Sequence, residues 1–114
     1  MRIRRRKKGA ALRIYGRMET AEDVSRINRM IRKEIRKARS RPAVIELYKR
    51  SMYLITLTHP NRAGARKAFG KRLATMHRRA KQEFTITAKL ANKRLKALGE
   101  LGRRPLDTKW GPGR

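Results

Sequence analysis

Residues 20–38 read TAEDVSRINRMIRKEIRKA, and this stretch decides the fold class. Val24, Ile27, Ile31, Ile35 and Ala38 recur at steps of three and four, so a helix lines them along one face. Thr20 and Asp23 have the spacing of a capping box, in which each side chain satisfies a backbone N–H that the first turn leaves free. Glu22 and Asp23 also lie at the positive end of the helix dipole. Arg26, Arg29, Lys33, Arg36 and Lys37 fall on the opposite face. That face carries one sign of charge, with only Glu34 nearby to balance it, whereas solvated helices usually alternate signs. The stretch therefore predicts an amphipathic helix with a cationic outer face.

On its C-terminal side, Ser40-Arg41-Pro42 breaks the chain, and Pro42 suits the first residue of a second helix. Residues 43–58 are the most apolar part, with Val44, Ile45, Leu47, Tyr48, Met52, Tyr53, Leu54, Ile55 and Leu57. Apolar side chains stand nearly all round, which predicts a central, buried helix. The β-branched and aromatic run from Tyr53 to Thr58 leaves a strand as the alternative there. Thr58-His59-Pro60-Asn61 reads as a turn with Asn61 as the next N-cap. From about Arg62 to Leu98 a stripe of Phe69, Leu73, Met76, Ala80, Phe84, Thr87, Ala91, Leu95 and Leu98 again keeps steps of three and four. Lys67, Lys71, Arg78, Lys89 and Lys96 lie opposite it. Unbroken, this helix would be about 55 Å long at about 1.5 Å per residue. Gly64, Gly70 and Thr85-Ile86-Thr87 are the places where it would kink or divide, and Gly99 and Gly102 suit its C-cap.

The flanks differ from this centre. Arg2, Arg4, Arg5, Arg6, Lys7 and Lys8 occupy six of the first eight positions, with Arg13 and Arg17 following. Charges of one sign at this density do not fold alone; the segment reads either as a solvated tail or as an arm that orders on phosphates. Residues 103–114 contain Pro105, Trp110 and Pro112 and read as irregular. The expected architecture is all-α, with three or four amphipathic helices over residues 20–102. A basic N-terminal arm (1–19) precedes them and an irregular C-terminal tail (103–114) follows.

Thirty-four Lys and Arg against eight Asp and Glu give a formal net charge of +26 in 114 residues. Such a chain repels itself at folded dimensions and calls for a polyanion. The charge matches roughly 44 Å of duplex, or about 13 base pairs, at about one phosphate charge per 1.7 Å. That is more than a single small site needs and points to stoichiometric coating. Hydrophobic residues at 39% allow a modest core. Without Cys there is no disulfide, zinc–thiolate cluster or thiol nucleophile. Only Asn28, Asn61, Gln82 and Asn92 carry amides, and few amides, no Cys and abundant Arg resemble hyperthermophile composition. No apolar run predicts a transmembrane helix or a signal peptide.

The sequence offers little for catalysis. His59 and His77 have no partner at helical spacing and read as structural or phosphate-facing. No phosphate-cradling glycine loop, metal-ligand spacing or Ser-His-Asp arrangement is present. A non-enzyme is expected, with no cofactor, no metal and no small-molecule substrate.

Basic residues occur in every segment; between Lys49 and Gln82 there are ten Lys and Arg and no acid. A reader of base sequence concentrates Asn, Gln and Arg on one recognition helix, and amides are nearly absent here. Single-strand binders stack bases on aromatics. Of six aromatics, Tyr48, Phe69 and Phe84 look like core residues. Tyr15 and Trp110 remain for stacking or subunit contact, with a cap over the core as the other reading of Trp110. The balance predicts phosphate-directed binding, indifferent to sequence, to a duplex or a folded RNA.

In its size, all-helical pattern, basic N-terminal arm and thermophile-like composition, the chain resembles the coat proteins of filamentous viruses that infect hyperthermophilic archaea. The resemblance implies helical subunits that wrap linear double-stranded DNA, held in the A-form, and pack into a filamentous virion with their own copies or a paralogous coat subunit. It places the N-terminal arm and the helix containing Arg26, Arg29, Lys33 and Arg36 against DNA. The chain is more basic than a coat whose outer face meets solvent. That departure keeps open an inner nucleoprotein role and a small helical ribosomal protein bound to ribosomal RNA in the cytoplasm.

Overall fold

The stretch that decides the fold class forms the helix its pattern predicts. In the computed structural model, which describes residues 8–102 and 104–110, it becomes α1 (Ala21–Lys37). The capping box is complete: Thr20 Oγ1 accepts from the Asp23 N–H at 3.2 Å, and the Asp23 carboxylate accepts from the N–H groups of Glu19 and Thr20 at 2.9 and 3.2 Å. The bond from the Glu19 N–H, foremost, holds the Asp23 carboxyl below its ordinary range. Helix α2 (Arg41–Leu57) opens on Ser40, whose hydroxyl accepts from the Ala43 N–H. Pro42 takes its second position, where a missing N–H leaves no bond unmade. The run Tyr53–Leu57 is helical, so the strand alternative falls; no strand occurs among the described residues.

The long stripe divides once. Helix α3 (Ala63–Phe69) ends at Gly70, a 3-10 turn covers Gly70–Arg72, and α4 (Leu73–Ala97) follows. Gly70 has φ +53, a left-handed conformation that other residues rarely adopt, so the chain turns there and not at Gly64. Thr85-Ile86-Thr87 stays inside α4, with Thr87 fully buried and hydrogen-bonded across the bundle. Asn61 does not cap α3. The N-cap is Arg62, and the Asn61 N–H instead donates to His59 Nδ1 at 3.1 Å, which tightens the turn. Gly99 does end α4: at φ +71 it lets its N–H reach the Lys96 carbonyl while the Glu100 N–H reaches Leu95 at 2.8 Å. This is the Schellman closure of a helix.

Helices α1, α2 and α4 form a three-helix bundle. Arg79 meets Ser25, Arg32 meets Glu83 and Arg94 meets Ala38, so α1 and α4 run parallel. Thr58 lies beside His77, Tyr48 beside Phe84 and Arg41 beside Glu100, so α2 runs against α4. The core takes the whole α1 stripe together with Met76, Ala80, Phe84, Ala88, Ala91 and Leu95 from α4. Helix α2 differs from expectation: it buries Val44, Leu47, Tyr48, Leu54 and Ile55 but leaves Ile45, Met52, Tyr53 and Leu57 half-buried and Pro42, Glu46, Lys49 and Thr56 exposed. It is one wall of three. The small residues Ala80, Ala88 and Ala91 let α4 approach its neighbours closely, and α4 packs against both other helices.

Both flanks dock on this bundle. A 3-10 helix, Lys8–Tyr15, seats Leu12 and Tyr15 in the core. The Tyr15 hydroxyl donates to the Glu34 carboxylate of α1 and accepts from Arg50 of α2 at 2.8 Å. Burial and the Glu34 bond push its pKa up to about 12. Tyr15 is thus withdrawn from any stacking role, and the chain from Leu12 onward belongs to the folded unit. Residues 104–110, the described part of the tail, form no helix or strand and are anchored. The Asn92 amide grips both the N–H and the carbonyl of Leu106, at 2.7 and 2.9 Å. Tyr48 donates to the Asp107 carbonyl at 2.9 Å, and Trp110 sets its ring edge-on to Phe84 with centroids 6.4 Å apart.

Candidate nucleic-acid interface

The described cations sort into two groups by what they touch. Arg26, Arg41, Arg62, Arg66, Arg72 and Arg94 donate to backbone carbonyls, several of them at helix ends. Arg32, Arg50 and Arg79 pair with Glu83, with Glu34 and Glu46, and with Glu22. Guanidinium suits this work, because it offers five donors in a fixed fork and favours the negative end of a helix. Arg26, on the outer face of α1 by its periodicity, is folded back onto the carbonyls of Tyr15 and Arg17 and fastens the N-terminal segment.

The second group points into solvent with no internal hydrogen bond or ion pair. On α1 these are Arg29, Lys33, Arg36 and Lys37, four expected site residues brought onto one surface. On α4 they are Arg78, Lys89 and Lys96. Lys67 on α3 and Lys71 in the 3-10 turn are exposed at the corner between α2 and α4, and Arg13 is exposed on the N-terminal 3-10 helix. Arg17 makes only a loose contact with Glu19 at 3.7 Å. Arg2, Arg4, Arg5, Arg6 and Lys7 lie outside the described residues; Lys8 begins the 3-10 helix. Sequence reasoning passed over Arg39, Lys81 and Lys93, which are equally exposed and free. For Lys93 the signal was there: it stands four residues after Lys89 and three before Lys96. Among the lysines from Lys33 to Lys109 no ammonium has an internal partner, so these stay on the surface while arginine divides between fastening and display.

Beneath this surface the three helices meet on one buried amide. Asn28 Oδ1 accepts from Ser51 of α2 at 2.6 Å and from Thr87 of α4 at 3.0 Å, while its Nδ2 donates to the Val24 carbonyl. Arg32 extends the network to Thr87 and Glu83. A satisfied buried polar network fixes the register of the helices, and hence of the cations they carry.

The two histidines, unrelated by spacing, are neighbours in space. Their rings lie edge-on with centroids 5.1 Å apart, and Thr58 Oγ1 is 3.3 Å from His77 Nδ1. Burial first, then the charges of Lys81 and His59, push His77 below its ordinary value, against a bond to the Ile55 carbonyl that raises it. An open cleft of about 400 Å³ between α1 and α2 contains Glu34 and Glu46, both engaged with Arg50. Among the described residues no three His, Cys, Asp or Glu are placed to hold a metal, and no helix is long and apolar enough to cross a membrane. Compared with family models, curated proteins and solved structures, the chain matches none.

Proposed function

We propose that the chain is a non-enzymatic, sequence-indifferent nucleic-acid-packaging protein that wraps double-stranded DNA as a viral coat or nucleocapsid subunit, in the virion. The observation that carries the reading is the surplus of unpartnered cations on α1 and α4 over the carboxylates Glu22, Glu34 and Glu83, which arginines already engage. Surface cations without partners bind phosphates by displacing counterions, which supplies affinity without sequence information. The choice of DNA and of a filament rests on the resemblance in size, helical pattern and basic arm to the coat proteins of filamentous viruses of hyperthermophilic archaea. A small ribosomal protein is the second reading, favoured by a net charge of +26, which exceeds what a solvent-facing coat needs.

Nucleic acid that copurifies, with its stoichiometry, separates the two. Many copies on a continuous duplex, and regular filaments of fixed protein-to-DNA ratio with long linear DNA under electron microscopy, are the expected result. One copy per large folded RNA, with irregular aggregates on DNA, overturns packaging in favour of the ribosome.

A further inference from the structure

A three-helix bundle has three grooves between its helices, and this chain lays its own ends along two of them, covering one only in part. Tyr15 bridges Glu34 of α1 and Arg50 of α2, with Leu12 buried alongside, so the N-terminal segment covers the α1/α2 groove up to that bridge, and the open cleft at Glu34, Glu46 and Arg50 lies beyond it. Tyr48 and Asn92 hold Asp107 and Leu106, so the tail closes the α2/α4 groove. No described residue outside α1, α4 and the α1 C-cap bonds across the third groove, where the two parallel helices meet.

The helical register defines the rims of that open groove. On α1 the edge runs Glu22, Ser25, Arg29, Arg32 and Arg36, at steps of three and four. On α4 it runs Arg79, Glu83, Ile86, Leu90 and Lys93. Arg79 spans to Glu22 and Ser25 at 3.2 and 2.8 Å, and Arg32 spans to Glu83 at 3.0 Å. These bonds fix the register and neutralise both carboxylates. What remains free on the rims is positive, Arg29, Arg36 and Lys93, with Ile86 51% exposed between them. The outer face of α2 is different: its exposed charges are one lysine, Lys49, and one glutamate, Glu46.

We infer that the open α1/α4 groove is the docking edge for the phosphate backbone of a nucleic-acid duplex, and that α2 faces away from it. The inference deepens the packaging reading and rests on it. The occupant follows from charge: a second copy of a +26 chain would meet this edge with like sign, whereas phosphates are complementary. The edge from Glu22 to Arg36 is about 21 Å long at about 1.5 Å per residue, enough to follow a backbone past several phosphates. Ile86 gives the sugar edges an apolar contact.

Two triple variants test this, each removing three positive charges: R29Q/R36Q/K93Q on the edge and K49Q/R104Q/K109Q on the α2 and tail side. Duplex binding is measured against salt, with thermal melts of both. The edge variant is expected to lose at least tenfold in affinity at moderate salt and about 2–3 units of log–log slope, at about 0.9 per phosphate; the control loses less than one unit. The variant R29K/R36K, which keeps the charge, retains binding. Acetylation of the wild-type protein gives a second readout that needs no variant: bound duplex shields Lys89 and Lys93 and leaves Lys49 and Lys109 reactive. Equal losses in the two triples, or equal shielding of the four lysines, overturn the edge while leaving nucleic-acid binding intact. Failure of the wild-type chain to bind any duplex removes the packaging reading itself, and the edge with it.

Discussion

Arg94 of α4 donates from Nε to the backbone carbonyl of Ala38, the residue that closes α1, at 2.7 Å. The last carbonyls of a helix have no partner within it, and a cation there also meets the negative end of the dipole. One side chain thus ends one helix and ties it to another. Arg94→Ala should cost about 1.5–3 kcal/mol, the range for hydrogen bonds to a charged group, and lower the melting temperature by several degrees. Arg94→Lys should recover only part, because the ammonium keeps the charge and loses the planar fork. Melts identical to wild type for both would show that water replaces the contact.

Asn28 is fully buried and accepts from Ser51 and Thr87. Asn28→Ala strands both hydroxyls in the core, and each unpaired buried group costs about 1–3 kcal/mol. A total loss of about 2–4 kcal/mol is expected by denaturant titration. Replacing the network as a unit, with Asn28→Leu, Ser51→Ala and Thr87→Val together, should recover part of that loss and weaken the uniqueness of packing, seen as broader NMR lines. A triple variant less stable than Asn28→Ala would contradict this account.

The helices are legible in the sequence because their apolar steps, the Thr20/Asp23 box and Gly99 are local signals that tertiary packing reinforced. The core roles of Phe84 and Leu95 follow from the same stripe. What is hidden depends on neighbours distant in the chain. Nothing in the sequence around Asn28 announces Ser51 and Thr87, and nothing at Arg26 says that its guanidinium turns back to Tyr15 and Arg17. Charge periodicity finds the outer face of a helix but cannot tell a free cation from one that fastens a carbonyl. The pairing of His59 with His77 is hidden for the same reason, since a two-helix corner brings them together.

His77 has a depressed pKa in the folded protein, chiefly through burial and then through Lys81 and His59. The unfolded chain therefore takes up a proton more readily. The stability that neutral His77 contributes is complete above its ordinary value of 6.5 and is lost as pH falls through the lower folded value. Denaturant midpoints should fall between pH 7 and pH 5 in the wild type. His77→Gln should flatten this dependence, although its stability at pH 7 is lower. An unchanged slope in the variant would assign the pH effect to another group.

Leu73 is buried at the start of α4, whereas Arg78 is exposed and unpartnered on its outer face. Leu73→Ala should cost about 2–5 kcal/mol through lost burial and the cavity left behind. Arg78→Ala should leave stability within about 0.5 kcal/mol, as surface changes usually do, while weakening duplex binding. Equal melting temperatures for the two would contradict the faces assigned to α4.

Two N-terminal deletions separate binding from folding. Removing residues 1–7 takes away Arg2, Arg4, Arg5, Arg6 and Lys7 and spares Leu12 and Tyr15, which are 7% and 3% exposed in the core. The salt slope of duplex binding should fall by as much as 4–5 units, at about 0.9 per phosphate, with helix content and melting temperature unchanged. Removing residues 1–15 also withdraws Leu12 and the Tyr15 bridge between Glu34 and Arg50. Burying a large apolar side chain contributes about 1.5–3 kcal/mol, so this longer deletion should destabilise the bundle by about 2–4 kcal/mol and uncover the rest of the α1/α2 groove. If the short deletion already unfolds the helices, the first seven residues belong to the folded unit. If neither deletion changes the salt slope, phosphate contacts lie on α1 and α4 alone and the basic arm has another partner.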